Sequence, residues 1–488
     1  MTKRKLAIRV LHVASECFPL VKTGGLADVV GALPKALAAA GCDARVFLPN
    51  YPAVAAALKD PQKVRSVKSL FGGSADILKA RTADGLVLYV LDAPHLFDRP
   101  GNPYLGADGK DWPDNPVRFA ACSQMAAGLA LDPVGSWQAD IVHAHDWQAG
   151  LVPAYVHAAG RPGPKTVMTI HNIAFQGLMP AKDRAALGLP HTMFTAAGLE
   201  YYGQVSFLKA GLVYADRLTT VSPTYAQETR TAEFGMGLHG ILAERAGDYR
   251  GILNGVDETV WNPETDSLIA APYSRARPRN KARNKETLQG AFGLAQDKSA
   301  PLFCVVSRLT EQKGLDLLLD VLPMIGDRGG QLALLGSGEA RLEKGFRAAA
   351  AARPDRFGVR IGYDEPLSHL MQAGADIILV PSRFEPCGLT QLYGLRYGTI
   401  PLVARTGGLA DTIIDANDAA LAVGTATGIQ FAPVTAAALA FALERVLALY
   451  GEPKVWRKLR NCAMAHPVSW AKSAAAYVAL YRELVGGA

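Results

Sequence analysis

The chain has 488 residues, enough for about three domains of roughly 150 residues or two large ones, each with a buried core. Its 49% apolar and 19% charged residues exclude a mainly disordered or collagen-like chain. The 51 basic and 44 acidic residues leave a net charge of +7, which argues against a dedicated nucleic-acid binder and suits an enzyme with a small anionic substrate.

In chain order, short apolar runs alternate with longer helical patterns. Arg9, His12 and Glu16 interrupt the N-terminal apolar run, so residues 8–13 read as a buried strand and not as a signal peptide. Leu26, Val29, Val30, Leu33 and Leu37 then recur at helical spacing. Pro34 lies inside that pattern and predicts a kink or a delayed helix start. Further strand candidates are 141–143, 166–170, 217–221, 302–306, 331–335, 359–361, 377–380 and 401–404. Most are rich in Val, Ile and Leu without strict alternation, as in a parallel sheet covered on both faces. Strands alternating with helices specify an α/β, doubly wound fold.

Residues 98–119 are too rich in Pro and Gly for one long helix. Their aromatics could stack on sugar rings, or the segment is a floppy loop. Gly and Pro punctuation places a domain boundary in 250–262. The basic run Arg275, Arg277, Arg279, Lys281, Arg283 and Lys285 reads as a solvated surface loop in preference to a polyanion contact. Near the end, Tyr477, Leu480, Tyr481 and Leu484 mark an amphipathic helix that must dock its apolar face. No run of about 18 uncharged apolar residues predicts a membrane span. Six scattered cysteines read as reduced thiols of a cytoplasmic protein.

The phosphate loop G-x-x-x-x-G-K-[ST], H-E-x-x-H and G-x-S-x-G are all absent. An internal repeat is present. Thr23-Gly24-Gly25-Leu26-Ala27-Asp28 recurs as Thr406-Gly407-Gly408-Leu409-Ala410-Asp411, each copy preceded by a cation, Lys22 or Arg405. Two copies so far apart suggest two similar halves; the alternative is chance or a common strand–helix turn, and six identities weigh against chance.

Four segments carry chemistry. In Lys22-Thr23-Gly24-Gly25-Leu26 the glycines either let a helix N-terminus approach a phosphate or simply make a tight turn. Ser307-Arg308-Leu309 through Lys313-Gly314 follows a buried strand, where α/β sheets bind ligands. Its two cations would neutralise a diphosphate, unless they are ordinary surface cations. Glu385-Pro386-Cys387-Gly388-Leu389-Thr390-Gln391 follows another strand and opens a helix at about Gly388. There Glu385 either accepts bonds from hydroxyls beside an anion site or merely favours the helix start. His143-Ala144-His145-Asp146-Trp147 and His171-Asn172 lie at strand ends. With no cysteine or third close histidine to complete a zinc set, a polar sugar site fits better. His143 reads as packing, and Asp146 serves the site or caps the next helix.

Together these elements, with Asn254-Gly255-Val256-Asp257, resemble the bacterial glycogen synthases, also called starch synthases. They stand in that family's order over nearly the whole chain. The resemblance implies the GT-B fold: two Rossmann-like doubly wound domains facing a deep cleft. They are expected at 1–250, joined by a C-terminal helix 466–488, and at 251–465. It also implies an ADP-glucose-dependent glucosyltransferase that extends an α-1,4-glucan at its non-reducing 4-OH with retention. The implied substrates are ADP-glucose and glycogen or a related glucan, with no metal or other cofactor, nucleic acid or membrane partner.

The resemblance assigns roles residue by residue. Arg308 and Lys313 match the family's cations and would stabilise the departing diphosphate. Glu385 would hold glucose hydroxyls and favour a cationic sugar. His171 matches the catalytic histidine, with a side-chain bond to the sugar and a main-chain carbonyl under the anomeric carbon. Lys22, Gly24, Gly25, Asp28, Asp146, Asn172, Asn254, Tyr363, Cys387, Gly388, Leu389 and Thr390 are the implied substrate contacts. Retaining glycosidases commonly place a carboxylate nucleophile about 5 Å from the acid. No motif supplies one here, so departure and attack on one face of the sugar are expected. The broader retaining pattern has a second glutamate eight positions after the first, where this chain has Tyr393, which leaves the ribose contact without its usual residue.

Overall fold

The computed structural model describes residues 7–486. The chain divides into two compact units. One comprises Met1–Asn254 with Trp470–Ala488, the other Gly255–Ser469.

The second unit is built on a six-stranded sheet in which every neighbouring pair is parallel. The chain enters in the middle with Leu302–Val306, winds outward through Gln331–Gly336 to Phe357–Ile361, and returns to the middle with Ile377–Val380. It then winds to the other edge through Ile400–Ala404 and Ile429–Phe431. This is the Rossmann strand order, with one switch point between Leu302–Val306 and Ile377–Val380. The central strands are buried along nearly their whole length, which is why they lack alternation.

The first unit repeats the plan in a nine-stranded sheet. Arg9–Val13 lies in the middle, flanked by Asp43–Pro49 and Ile141–His145. Winding continues to Val87–Asp92 on one side, and through Lys165–Ile170 and Arg217–Thr220 to Tyr249–Gly251 on the other. Beyond Val87–Asp92 an antiparallel hairpin, Gln62–Leu70 and Gly73–Arg81, completes the edge. The switch point lies between Arg9–Val13 and Ile141–His145, with His12 opposite His143.

Helix Gly25–Ala39 buries Leu26, Val29, Val30, Leu33 and Leu37 as their spacing predicts. It starts directly after the Gly24 turn and runs on through a buried Pro34, so the proline does not delay it. The C-terminal helix Trp470–Gly486 belongs to the first unit. It buries Trp470, Tyr477, Tyr481 and Leu484 in a cluster with Val29, Leu33, Leu37, Val10 and Ile141. Among the described residues no helix is long and apolar enough to cross a membrane.

Two expectations fail. The basic run is not all solvated: Lys281 and Lys285 are buried on helix Lys281–Phe292, four residues apart and hence on one face. Lys281 donates to the Ala373 carbonyl at 3.0 Å and to Thr399 Oγ1 at 2.8 Å, and burial lowers its pKa to about 7. Lys285 pairs with Asp376 at 2.7 Å. Nor is the stretch after Asp98 a floppy loop. Arg99 forks onto Asp114, Asn115 donates to the Tyr104 carbonyl, and buried Arg118 donates to the Leu96 and Pro103 carbonyls. From Asn115 the chain is helical to Leu131.

Candidate active site

In the second unit the candidate residues collect at the carboxyl ends of the two switch-point strands. Gly314 sets their geometry. Its φ is +65°, and a Cβ there would lie 2.0 Å from the Pro381 carbonyl oxygen. Only glycine lets the loop after Leu302–Val306 lie against the loop after Ile377–Val380. Arg383 sews the loops together with two 2.6 Å bonds to Asp316 and one of 2.7 Å to the Glu311 carbonyl. The result places Lys313 Nζ 2.5 Å from Glu385 Oε2, which also accepts from Ser382 Oγ at 2.9 Å. Both bonds fall on Oε2, leaving Oε1 clear of them. Glu385 is only 6% exposed. Arg308 stands exposed on the same loop as Lys313, with no ion pair to its guanidinium among the described residues.

The second copy of the repeat finds its use here. The Gly408 N–H donates to the Glu385 carbonyl at 3.0 Å, and a Cβ on Gly408 would come within 2.4 Å of the Cys387 Cα. The turn therefore braces the buried Glu385–Cys387 segment from below. Gly388 has φ +70° and leads through Leu389 into helix Thr390–Tyr397. The helix opens two residues later than the sequence suggests, which puts Gly388 and Leu389 in the turn before its N-terminus. Gln391 locks that turn by donating to the Cys387 and Gly388 carbonyls. Tyr363 is 67% exposed on the loop after Phe357–Ile361, bonded to Glu365. Tyr393 is buried against Trp261 (ring centroids 3.8 Å apart), and Trp261 stacks on its other face against His369. Its ring is thus structural, which accounts for the missing glutamate without supplying a replacement.

In the first unit Lys22 Nζ pairs with Asp28 Oδ1 at 3.0 Å. The Gly24 turn is not open to an anion as expected. Buried Glu16, which the sequence marked only as a break in the first apolar run, accepts from the Thr23 N–H at 2.5 Å, Thr23 Oγ1 at 2.6 Å and the Gly24 N–H at 3.2 Å. Tyr104 OH donates to the same carboxylate at 2.5 Å. A carboxylate of the chain itself already takes two of the turn's donors. Gly25 begins the helix beside it, and Asn254 closes the unit, half-buried.

Asp146, at the end of Ile141–His145, has φ +56°, a strained value for a residue with a Cβ. Its Oδ1 accepts from the His171 N–H at 2.7 Å and the Asn172 N–H at 3.3 Å. It therefore fixes the start of the loop that carries both residues. Burial is the main cause that raises its pKa to about 7, against the two backbone bonds. His143 is core, as read: Tyr481 OH lies 2.7 Å from Nδ1 and Thr169 Oγ1 2.5 Å from Nε2.

The expectation of no third close histidine fails. His12 comes alongside through the strand register, and ligand nitrogens of His12, His143 and His145 lie within 4.8 Å of one another. They suit packing better than a metal. The rings of His143 and His145 stack at 4.3 Å and 23°, so their in-plane lone pairs do not converge. Both His143 nitrogens are already bonded.

The family of starch synthase catalytic domains matches residues 9–244, and the group 1 glycosyl transferases match 290–460. A glycogen synthase of Roseobacter denitrificans is 59% identical over 480 residues, covering 98% of this chain and 100% of that protein. The chain belongs to the glycogen synthase family. It is a glycosyltransferase of the GT-B fold class. A Rhodopseudomonas palustris glycogen synthase is 57% identical over 98% of this chain and 99% of its own. Among solved structures, the catalytic domain of Arabidopsis thaliana starch synthase IV, bound to ADP and acarbose, matches with TM-score 0.88 at 32% identity. It covers 98% of this chain and 100% of that one. Sucrose-phosphate synthase of Thermosynechococcus elongatus, 19% identical with TM-score 0.61 over 99% of this chain and 100% of its own, shares the fold.

Proposed function

We propose that this glycogen synthase family member moves glucose from ADP-glucose to the non-reducing 4-OH of an α-1,4-glucan, with retention. The supporting observation is the Lys313–Glu385 pair beside exposed Arg308, at a switch point and next to a helix N-terminus. Cleaving a sugar–phosphate bond leaves negative charge on the departing diphosphate and positive charge on the ring. Arg308, Lys313 and the backbone N–H groups at Leu389 and Thr390 stabilise the first. Glu385 holds hexose hydroxyls through Oε1, and its charge favours the second.

Cys387 and Gly388 shape the turn that presents those donors, and the exposed Tyr363 ring offers a face to the nucleotide base. The starch synthase IV domain was solved with ADP and acarbose, a nucleoside diphosphate and an oligosaccharide, which supports both substrate classes. In the first unit, Lys22, Asp28, Asn172 and Asn254 contact substrate. Asp146 holds the His171 loop, and His171 bonds the sugar. Acceptor attack comes from the face the diphosphate leaves, and the phosphate takes the acceptor proton. In this reading the protein's own cations meet the diphosphate charge and no metal is used.

The test is incubation with ADP-glucose or UDP-glucose and a short maltodextrin, with and without EDTA, assayed for nucleotide release and chain extension. Acceptor-dependent ADP release unaffected by EDTA is expected. No transfer from either donor would refute the reading, and trapping a glycosyl-enzyme adduct would refute the one-face route.

A further inference from the structure

Behind His171 lies a line of imidazoles that take no direct part in the transfer reaction. His171 Nε2 lies 2.9 Å from His145 Nδ1, and His145 Nε2 lies 3.0 Å from His12 Nδ1. The line crosses the ends of three adjacent strands, Lys165–Ile170, Ile141–His145 and Arg9–Val13. His12 and His145 are fully buried, and His171 is half-buried at the outer end. His145 is held in place by His143, stacked on it at 4.3 Å and itself fixed by Tyr481 and Thr169.

Burial favours the neutral form of all three rings. Burial lowers the pKa of His12 and of His171 to about 3 and takes His145 well below the usual range. A neutral imidazole has one N–H and one lone pair. His145 must therefore donate on one side and accept on the other, and the whole line has only two proton arrangements. In one, His12 Nδ1–H donates to His145, His145 Nδ1–H donates to His171, and His171 carries its proton on Nδ1. In the other every bond is reversed, and His171 keeps a lone pair at Nδ1.

The inner end chooses between them. His12 Nε2 is buried and has no hydrogen-bond partner among the described residues. The first arrangement leaves a bare lone pair there, and the second leaves a bare N–H. Buried N–H groups left without partners are rarer than under-satisfied acceptors. We propose that His12 and His145 are positioning residues that lock His171 in the Nδ1–H tautomer, so that its outer nitrogen is a hydrogen-bond donor to a hexose hydroxyl. The tautomer assignment does not depend on the transfer reaction, and only its use towards hexose rests on the proposed function.

The test uses the full chain labelled with 15N-histidine and a long-range 15N–1H correlation, without substrate. The His171 signals are assigned by their loss in His171→Gln. Protonated Nδ1 and unprotonated Nε2 on His171 are expected. Protonated Nε2, or two averaged tautomers, would overturn the proposal. Kinetics supply a second readout. His145→Ala should lower kcat about tenfold, the factor for losing one oriented hydrogen bond, with KM for ADP-glucose changed less than about twofold. His145→Asn, whose amide N–H replaces the Nδ1–H donor, should recover most of the loss. An unchanged kcat in His145→Ala, or Asn no better than Ala, contradicts the positioning role. A chain that transfers no glucose would sink the reaction and leave the tautomer reading standing.

Discussion

Lys313 and Glu385 stand 72 positions apart in the chain and meet at 2.5 Å, the ammonium of one loop on the carboxylate of the next. The pair is mostly buried, with side chains 18% and 8% exposed. Each partner offsets the other's desolvation, and removing one of a buried pair costs roughly 3–5 kcal/mol. Lys313→Ala should therefore lower stability as well as lower kcat by about 100-fold or more, the scale of losing one preorganised charge donor. Glu385→Ala should lose a similar factor. The double variant should lose much less than the product of the two, because the residues act as a unit. Steady-state rates and thermal unfolding of the three variants check this. Strictly multiplicative rates would contradict it.

Gly314 holds that pair together from outside it. Gly314→Ala meets both a left-handed backbone, worth about 1–2 kcal/mol, and the Pro381 carbonyl 2.0 Å from the new Cβ. The loops must part, carrying Lys313 away from Glu385. A loss of more than about 2 kcal/mol in denaturant unfolding is expected, with a fall in kcat close to that of Lys313→Ala. Near-normal turnover would show that the glycine does not set the geometry.

Glu16 fills the turn at Thr23 and Gly24 with its own carboxylate. Glu16→Gln keeps an oxygen for the Thr23 and Gly24 N–H groups and turns its amide towards the Thr23 and Tyr104 hydroxyls, which must then accept where they now donate, and it removes the charge from all four bonds. Losing the charge assistance of such bonds costs about 1 kcal/mol. Because Lys22 is next in the chain, KM for ADP-glucose should rise severalfold while kcat changes little. Thermal unfolding and a donor titration read both.

Asp146 makes a prediction in pH. Burial raises its folded pKa to about 7 from 3.8, so the folded chain holds a proton that the unfolded chain releases. Its contribution to stability is complete below the unfolded value and is lost as pH rises through the folded one. Asp146→Asn still offers an oxygen to the His171 and Asn172 N–H groups but does not titrate. The variant should gain stability relative to the parent as pH rises from about 4 to 7. Denaturant unfolding across that range checks it, and a constant gap would contradict the shift.

The sequence was most legible where burial is continuous. The strands Leu302–Val306 and Ile377–Val380 stand out as uninterrupted apolar runs. Asp43–Pro49 escaped because Asp43 and Arg45 open it, and Gln62–Leu70 because it is mostly exposed and charged. The motif residues announced the strand ends, but their partners did not announce themselves. Glu16 reaches Thr23 only because the chain doubles back, and His12 joins His145 only through parallel register. Lys281 and Lys285 could have been read as buried from their four-residue spacing. The run of arginines around them hid that signal.

The central claim is that Arg308, Lys313 and the start of helix Thr390–Tyr397 receive a diphosphate. A crystal structure of the full chain with ADP tests it most directly. Phosphate oxygens within hydrogen-bond distance of the Arg308 guanidinium, the Lys313 ammonium and the N–H groups of Leu389 or Thr390 are predicted. A diphosphate bound away from both cations would contradict the account.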